Sequence, residues 1–164
     1  MDRDGYLKTA YLCPPERARG AFIFLVLIYC GLSGGKEQRM NNPSIAVVGA
    51  GKVGSALAIL LHNQGYTVSG VTSRTPDSAR NLADRLNCPV FANCAYAVQT
   101  ADLVFITTPD REIGQVSAGI ASEGGYRPGQ IVAHTSGAHP AAQLLGATEA
   151  GAKVLSFHPL QSFA

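Results

Sequence analysis

The chain predicts a three-layer α/β/α domain on a doubly wound parallel sheet. Three observations carry this. From residue 44 onward, short apolar runs alternate with amphipathic helical patterns, the order that gives a parallel sheet covered by helices. Residues 103–106, L-V-F-I, are apolar without alternation, as a central strand buried on both faces should be. Residues 44–54 read S-I-A-V-V-G-A-G-K-V-G. There an apolar strand runs straight into glycines at G-x-G-x-x-G spacing, and a helical pattern begins at once behind them.

That glycine spacing has a physical reading. Gly49 allows the sharp turn out of the strand. Gly51 lacks a side chain, so a pyrophosphate can approach the backbone. Gly54 lets the helix pack close to the strand, and the free N–H groups at the helix start face the phosphates. A glycine-rich turn in some other α/β domain is the plain alternative.

Val53, Ala56, Leu57, Leu60 and Leu61 make one apolar stripe on a helix, closed by Gly65 at a left-handed C′ position. Residues 67–72 form the second strand. Thr75-Pro76-Asp77 opens the next helix with a capping hydroxyl, an N1 proline and an early acid. Ala79, Leu82, Ala83 and Leu86 are its buried face. Val90-Phe91 is a short third strand, and residues 95–99 suit one or two helical turns. The strand at 103–106 is followed by Thr107-Thr108-Pro109-Asp110, then by a helix marked by Ile113, Val116 and Ile120. Residues 131–133 are a fifth strand ending in His134-Thr135-Ser136-Gly137. Residues 140–145 form a short helix. Residues 154–157 are a sixth strand, ending in His158-Pro159. The expected strand order is 3-2-1-4-5-6, which gathers the loops at the carboxyl ends of the strands into one crevice.

Length and composition bound the rest. The chain has 164 residues, which suits one domain, and a formal net charge of +2. That balance gives no argument for nucleic acid or an anionic membrane as partner. The four cysteines form no C-x-x-C, and no His/Cys pair has zinc-ligand spacing, so no metal is expected. Residues 1–40 differ from the remainder and read as an N-terminal extension to a domain at 41–164. The apolar run at 21–32 is short for a membrane span and resembles the core of a signal peptide. It reads as an anchor or signal, as an added element packed on the domain, or as an upstream extension with Met40 as the start. A cytoplasmic location is expected for 41–164, with no membrane segment.

The cofactor can be argued from the end of the second strand. An NAD site usually places Asp or Glu there to bind the adenosine ribose. Here it reads Thr72-Ser73-Arg74-Thr75, with no acid from Ser69 to Pro76. A carboxylate would repel a 2′-phosphate, whereas hydroxyls and a guanidinium would bind one. NADP(H) is therefore expected over NAD(H), read by Ser73, Arg74 and Thr75. Otherwise Arg74 is a solvated arginine and Thr75 only a cap.

The motifs V-V-G-A-G-K-V-G, V-T-S-R-T, A-D-L-V-F-I-T-T-P-D, V-A-H-T-S-G-A and L-S-F-H-P-L-Q-S-F together resemble a bacterial Rossmann-like family. Its members carry an NADP-oxidoreductase-type domain followed by a helical C-terminal domain of unknown function. The likeness is more distant to pyrroline-5-carboxylate reductase, prephenate dehydrogenase and the β-hydroxyacid dehydrogenases. It implies that Gly49, Gly51, Lys52 and Val53 lie along the pyrophosphate, beside Gly54. It also implies that Thr107, Thr108 and Pro109 border the nicotinamide ribose. Ser136 and Gly137 match a substrate-carboxylate position, and His158 matches a histidine on the substrate side. In the family a second domain supplies dimer contacts and part of the pocket. It is missing after Ala164, so a truncated member, an excised domain or an incomplete reading frame is expected.

Hydride transfer asks the protein to orient a nicotinamide and to stabilise charge on the substrate. His134, Ser136 and His158 are the catalytic candidates, because histidine titrates near neutrality. The alternatives are that His134 bonds its own loop and that His158 orders the exit of the chain. The resulting expectation is an NADP-dependent oxidoreductase, or its cofactor domain, acting on a small carbonyl, imine or hydroxyacid. A non-catalytic NADP(H)-sensing module competes with it. S-adenosylmethionine or FAD is a third possibility, opposed by the missing acid. Apolar residues near 155–163 would be exposed and drive self-association.

Overall fold

The structure, a computed structural model, describes residues 43–157. The extension at 1–40, the apolar run at 21–32 and His158 lie outside the described residues. Among the described residues no helix is long and apolar enough to cross a membrane, and no cluster of His, Cys, Asp and Glu could hold a metal ion.

Five parallel strands form the sheet: β1 (Ile45–Val48), β2 (Val68–Thr72), β3 (Leu103–Ile106), β4 (Ile131–His134) and β5 (Lys153–Ser156), in the spatial order β2-β1-β3-β4-β5. The expected third strand survives as one bridge. Val71 donates to Pro89 O at 3.1 Å and accepts from Phe91 N at 2.9 Å, and Val90 pairs in parallel with Val71. Pro89 has no N–H for a ladder, and Asn93 already caps the next helix through bonds to Ala95 N and Tyr96 N. Two residues are left for pairing. The expected order therefore holds, with its outermost strand reduced to a bridge.

Side chains alternate across each strand, so the sheet has two cores. Ile45, Val47, Val71, Leu103, Phe105 and Leu155 face α1 (Lys52–Asn63) and α2 (Pro76–Leu86). Ala46, Val48, Val104, Ile106, Val132 and Val154 face α3 (Cys94–Gln99), α4 (Ile113–Ser122) and α5 (Leu145–Glu149). In α2 all four expected residues, Ala79, Leu82, Ala83 and Leu86, are buried. Thr75 occupies its N-cap position, yet its side chain makes no cap bond. Burying one leucine stabilises by roughly 1.5–3 kcal/mol, against about 1 kcal/mol for a cap, so packing holds this helix in place. In α1 the buried stripe is Gly54, Leu57, Ala58 and Leu61, and Leu60 is exposed. The close approach of Gly54 rotates the helix away from the stripe that apolar spacing alone suggests. Leu155 is buried as well. The expected apolar surface near the C-terminus therefore does not include it.

The sheet's amino edge is tied by polar groups. Asp102 accepts from Ser44 N at 3.0 Å, from Ser44 Oγ at 2.8 Å and from Arg127 Nη2 at 2.6 Å. Burial opposes its charge, but the Arg127 and Ser44 bonds outweigh burial and hold the carboxyl below the usual range.

At the opposite edge β1 turns into α1. Gly49 has φ +109°, a region that disfavours L side chains. Its N–H donates to Thr72 O at 2.8 Å. A Cβ on Gly54 would overlap the Gly49 carbonyl oxygen and Thr107 Oγ1, whereas one on Gly51 would meet nothing within 4 Å. Gly54→Ala should therefore lower stability by about 3 kcal/mol or more, beyond ordinary overpacking. Gly51→Ala should change it by less than about 1 kcal/mol. Urea unfolding of both variants checks this, and a Gly54→Ala protein as stable as wild type would contradict the packing.

Candidate functional site

Parallel register lines up the ends of the strands. Thr72, Val48, Ile106, His134 and Ser156 form one row across the sheet, each paired with its neighbour. The loops that follow leave from this row on one edge. β1 and β3 are neighbours whose connections run to opposite sides of the sheet, so their carboxyl ends form the topological switch point.

The glycine turn sits at that point. Gly51 is the N-cap of α1, with no side-chain cap bond and no acid in the first turn. Gly51 and Lys52 are exposed and Val53 is half-buried. Thr107, the first residue after β3, braces the turn from the side. Its hydroxyl donates to Gly49 O at 2.6 Å and stands 3.3 Å from Val48 O, and its N–H donates to Val48 O at 2.8 Å. This bracing was not visible in the sequence, where Thr107 reads only as a residue bordering a ribose. Thr108 Oγ1 is buried with no hydrogen-bond partner, and Pro109 is exposed.

Ser73, Arg74 and Thr75 follow β2. Ser73 is half-buried, while Arg74 and Thr75 are exposed. Arg74 Nη1 bonds Glu112 Oε1 at 2.8 Å. Glu112 lies in the 3-10 turn Asp110–Glu112 that follows β3. No acid occurs from Ser69 to Pro76, yet the fold brings one to Arg74 from a loop 38 residues away.

The candidates after β4 are committed to their own loop. His134 is fully buried. Its Nδ1 lies 3.2 Å from Ser136 N, a donor, so Nδ1 accepts. Its Nε2 therefore carries the proton and donates to Pro140 O at 3.1 Å. Ser136 is also buried, and its Oγ accepts from Ala138 N at 3.2 Å. Ser156 Oγ fastens the loop to β5 through Ser136 O at 3.0 Å and His139 O at 3.2 Å. The structure thus brings His134 and Ser136 together, but neither ring nitrogen of His134 is left for a ligand.

A family model for the Rossmann-like domain matches residues 32–159. The chain belongs to that family. A Bacteroides fragilis protein assigned as an NADP oxidoreductase is 27% identical, with a TM-score of 0.64; the match covers 75% of this chain and 46% of that one. The 3-hydroxyisobutyrate dehydrogenase of Mycobacterium tuberculosis shares the fold at 22% identity and a TM-score of 0.59, over 74% of this chain and 42% of that one. An imine reductase from Myxococcus stipitatus, solved with NAD+, shares it at 23% identity and a TM-score of 0.57, over 68% and 39%. The glutamyl-tRNA reductase of Sulfurisphaera tokodaii is 31% identical over 70 residues, 43% of this chain and 17% of that protein. The chain thus spans under half the length of these relatives. It is a Rossmann-like nucleotide-binding domain whose structural neighbours are oxidoreductases.

Burial pushes the His134 imidazole below its ordinary 6.5; the Pro140 carbonyl opposes this, His139 adds to it, and Asp110 opposes it. With the folded value below the unfolded one, the unfolded chain takes up the proton first as pH falls. His134 therefore contributes full stability above about pH 6.5, which is lost as pH drops toward the lowered folded value. Urea unfolding at about pH 7.5 and about 5.5 should show a larger acid loss in wild type than in His134→Gln. Equal losses would assign the titration to another group.

Proposed function

We propose that this domain binds NADP(H) across the carboxyl edge of its sheet and serves as the cofactor domain of an oxidoreductase. The substrate would be a small carbonyl, imine or hydroxyacid. The observation that carries this reading is the pairing of a braced glycine turn with Ser73-Arg74-Thr75 at the end of the adjacent strand. The turn has open space at Gly51, as pyrophosphate approach requires. Gly49, Gly51, Lys52, Val53 and Gly54 would line the pyrophosphate. Ser73, the Arg74 guanidinium and the uncommitted Thr75 hydroxyl would read the 2′-phosphate. The unpartnered Thr108 hydroxyl would take a ribose or carboxamide group, next to Pro109, with Thr107 holding the turn in register. These features fit a nicotinamide dinucleotide, which supplies hydride chemistry when bound. The NADP oxidoreductase likeness supports the same choice.

On the substrate side, the loop held by His134 presents Gly137 and Ala138 at the exposed edge. Ser136 retains an O–H that can donate while its oxygen accepts from Ala138 N. His134 positions this loop, and His158, two residues beyond β5, is the remaining acid candidate. Residues 1–40 are read as an extension and the location as cytoplasmic, and self-association would run through the surface that would meet a second domain. One observation favours a second reading, a non-catalytic NADP(H)-binding or sensing module: both described catalytic candidates are engaged in holding one loop.

Calorimetry with NADPH and NADH separately tests the cofactor. Arg74→Ala should weaken NADPH about 10- to 100-fold, the range for a charged hydrogen bond, and NADH by less than about twofold. Equal effects on both would overturn the 2′-phosphate reading. NADPH oxidation with carbonyl or imine compounds, or its absence despite tight binding, then separates the enzyme from the module.

A further inference from the structure

We propose that Glu112 sets the affinity of the site for a 2′-phosphate by holding Arg74 whenever that phosphate is absent. This rests on the cofactor reading above, because it assigns Arg74 to the phosphate.

Glu112 is fixed from two sides. Its N–H donates to Pro109 O at 2.8 Å, and it is the N-cap residue of α4. A carboxylate suits that position, since its charge faces the positive end of the helix. Its side chain is 23% exposed, against 78% for Arg74. The Glu112 side chain is thus the more enclosed of the two. Glu112 Oε1 accepts from Arg74 Nη1 at 2.8 Å and lies 3.8 Å from Arg111 Nε.

A carboxylate offers a guanidinium the same forked pair of acceptors that a phosphate does. Both cannot occupy one edge of Arg74. A phosphate arriving at Arg74 must therefore displace Glu112, or sit beside it against like-charge repulsion. Either route subtracts from NADPH binding, and neither touches a cofactor without the phosphate. The loop after β3 thereby tunes a site read at the end of β2. Across an exposed pair the effect is modest, because solvent screens it.

The test is calorimetry on the 164-residue chain with Glu112→Gln, Arg74→Ala and the double variant. Glu112→Gln should tighten NADPH about two- to fivefold and change NADH by less than about twofold. The gain should shrink in the Arg74→Ala background, since releasing an absent arginine achieves nothing. If Arg74→Ala weakens NADPH selectively but Glu112→Gln changes NADPH by less than about twofold, the latch is wrong and the cofactor reading stands. A gain undiminished without Arg74 would reduce Glu112 to a repulsive charge and also overturn the latch. If Arg74→Ala affects both cofactors equally, the cofactor reading itself fails.

Discussion

The structure depends on one close approach, that of Gly54 in α1 to the carbonyl oxygen of Gly49 at the end of β1. No side chain fits between them, so the helix lies against the turn. The Gly49 oxygen still needs a partner, because a buried carbonyl without one is costly. Thr107 supplies it at 2.6 Å from the end of β3. The consecutive β1 and α1 and the distant β3 are thus locked by two glycines and one hydroxyl. The lock stands where β1 and β3 send their connections to opposite faces. A ligand groove opens at that point in folds of this kind. The packing that closes the fold and the geometry that opens the site are therefore the same contact.

The two edges of the sheet are finished differently. At the amino edge Asp102, Ser44 and Arg127 satisfy one another, and Gln130 Nε2 donates to Val98 O and Ala101 O at 2.8 Å each, although the buried Gln130 Oε1 has no partner. At the carboxyl edge Thr108 Oγ1 has no partner, Thr75 sits at a cap position without capping, and Gly51 faces open space. The Thr108 and Thr75 hydroxyls, on the same edge as the glycine turn, are groups that a polar ligand there would complete. The amino edge is cross-linked by its side chains, and at the carboxyl edge the open groups adjoin the glycine turn.

Much of the fold was legible because its signals are local. The L-V-F-I run gives β3 with the same limits, and the period of Ala79, Leu82, Ala83 and Leu86 gives the buried face of α2. What was missed depends on contacts between distant segments. Leu60 matches the helical stripe of α1 but is exposed, because the helix is turned by Gly54. Val90-Phe91 has strand composition, but a proline before it and a capped helix after it leave one bridge. In the candidate site the glycine turn and the residues after β2 were legible, since spacing alone places them. The Arg74–Glu112 pair was not, because a scan for acids along the chain cannot see one delivered by the loop after another strand.

His134 shows the same limit in chemical terms. A histidine at a strand end beside a crevice has the pKa and the place of a general acid. Parallel pairing of β4 with β5, however, sets Ser156 beside His134, and Ser156 Oγ holds the loop down through the carbonyls of Ser136 and His139. The loop folds over the imidazole, bringing Pro140 O to one nitrogen and Ser136 N to the other. A donor at Nδ1 and an acceptor at Nε2 fix one neutral tautomer. Protonation would set two N–H groups against each other at Nδ1, so burial and geometry both resist the charged form. A general acid must gain and lose a proton in each turnover. A ring held in one tautomer by its own loop is better suited to shaping the edge at Gly137 than to exchanging protons there.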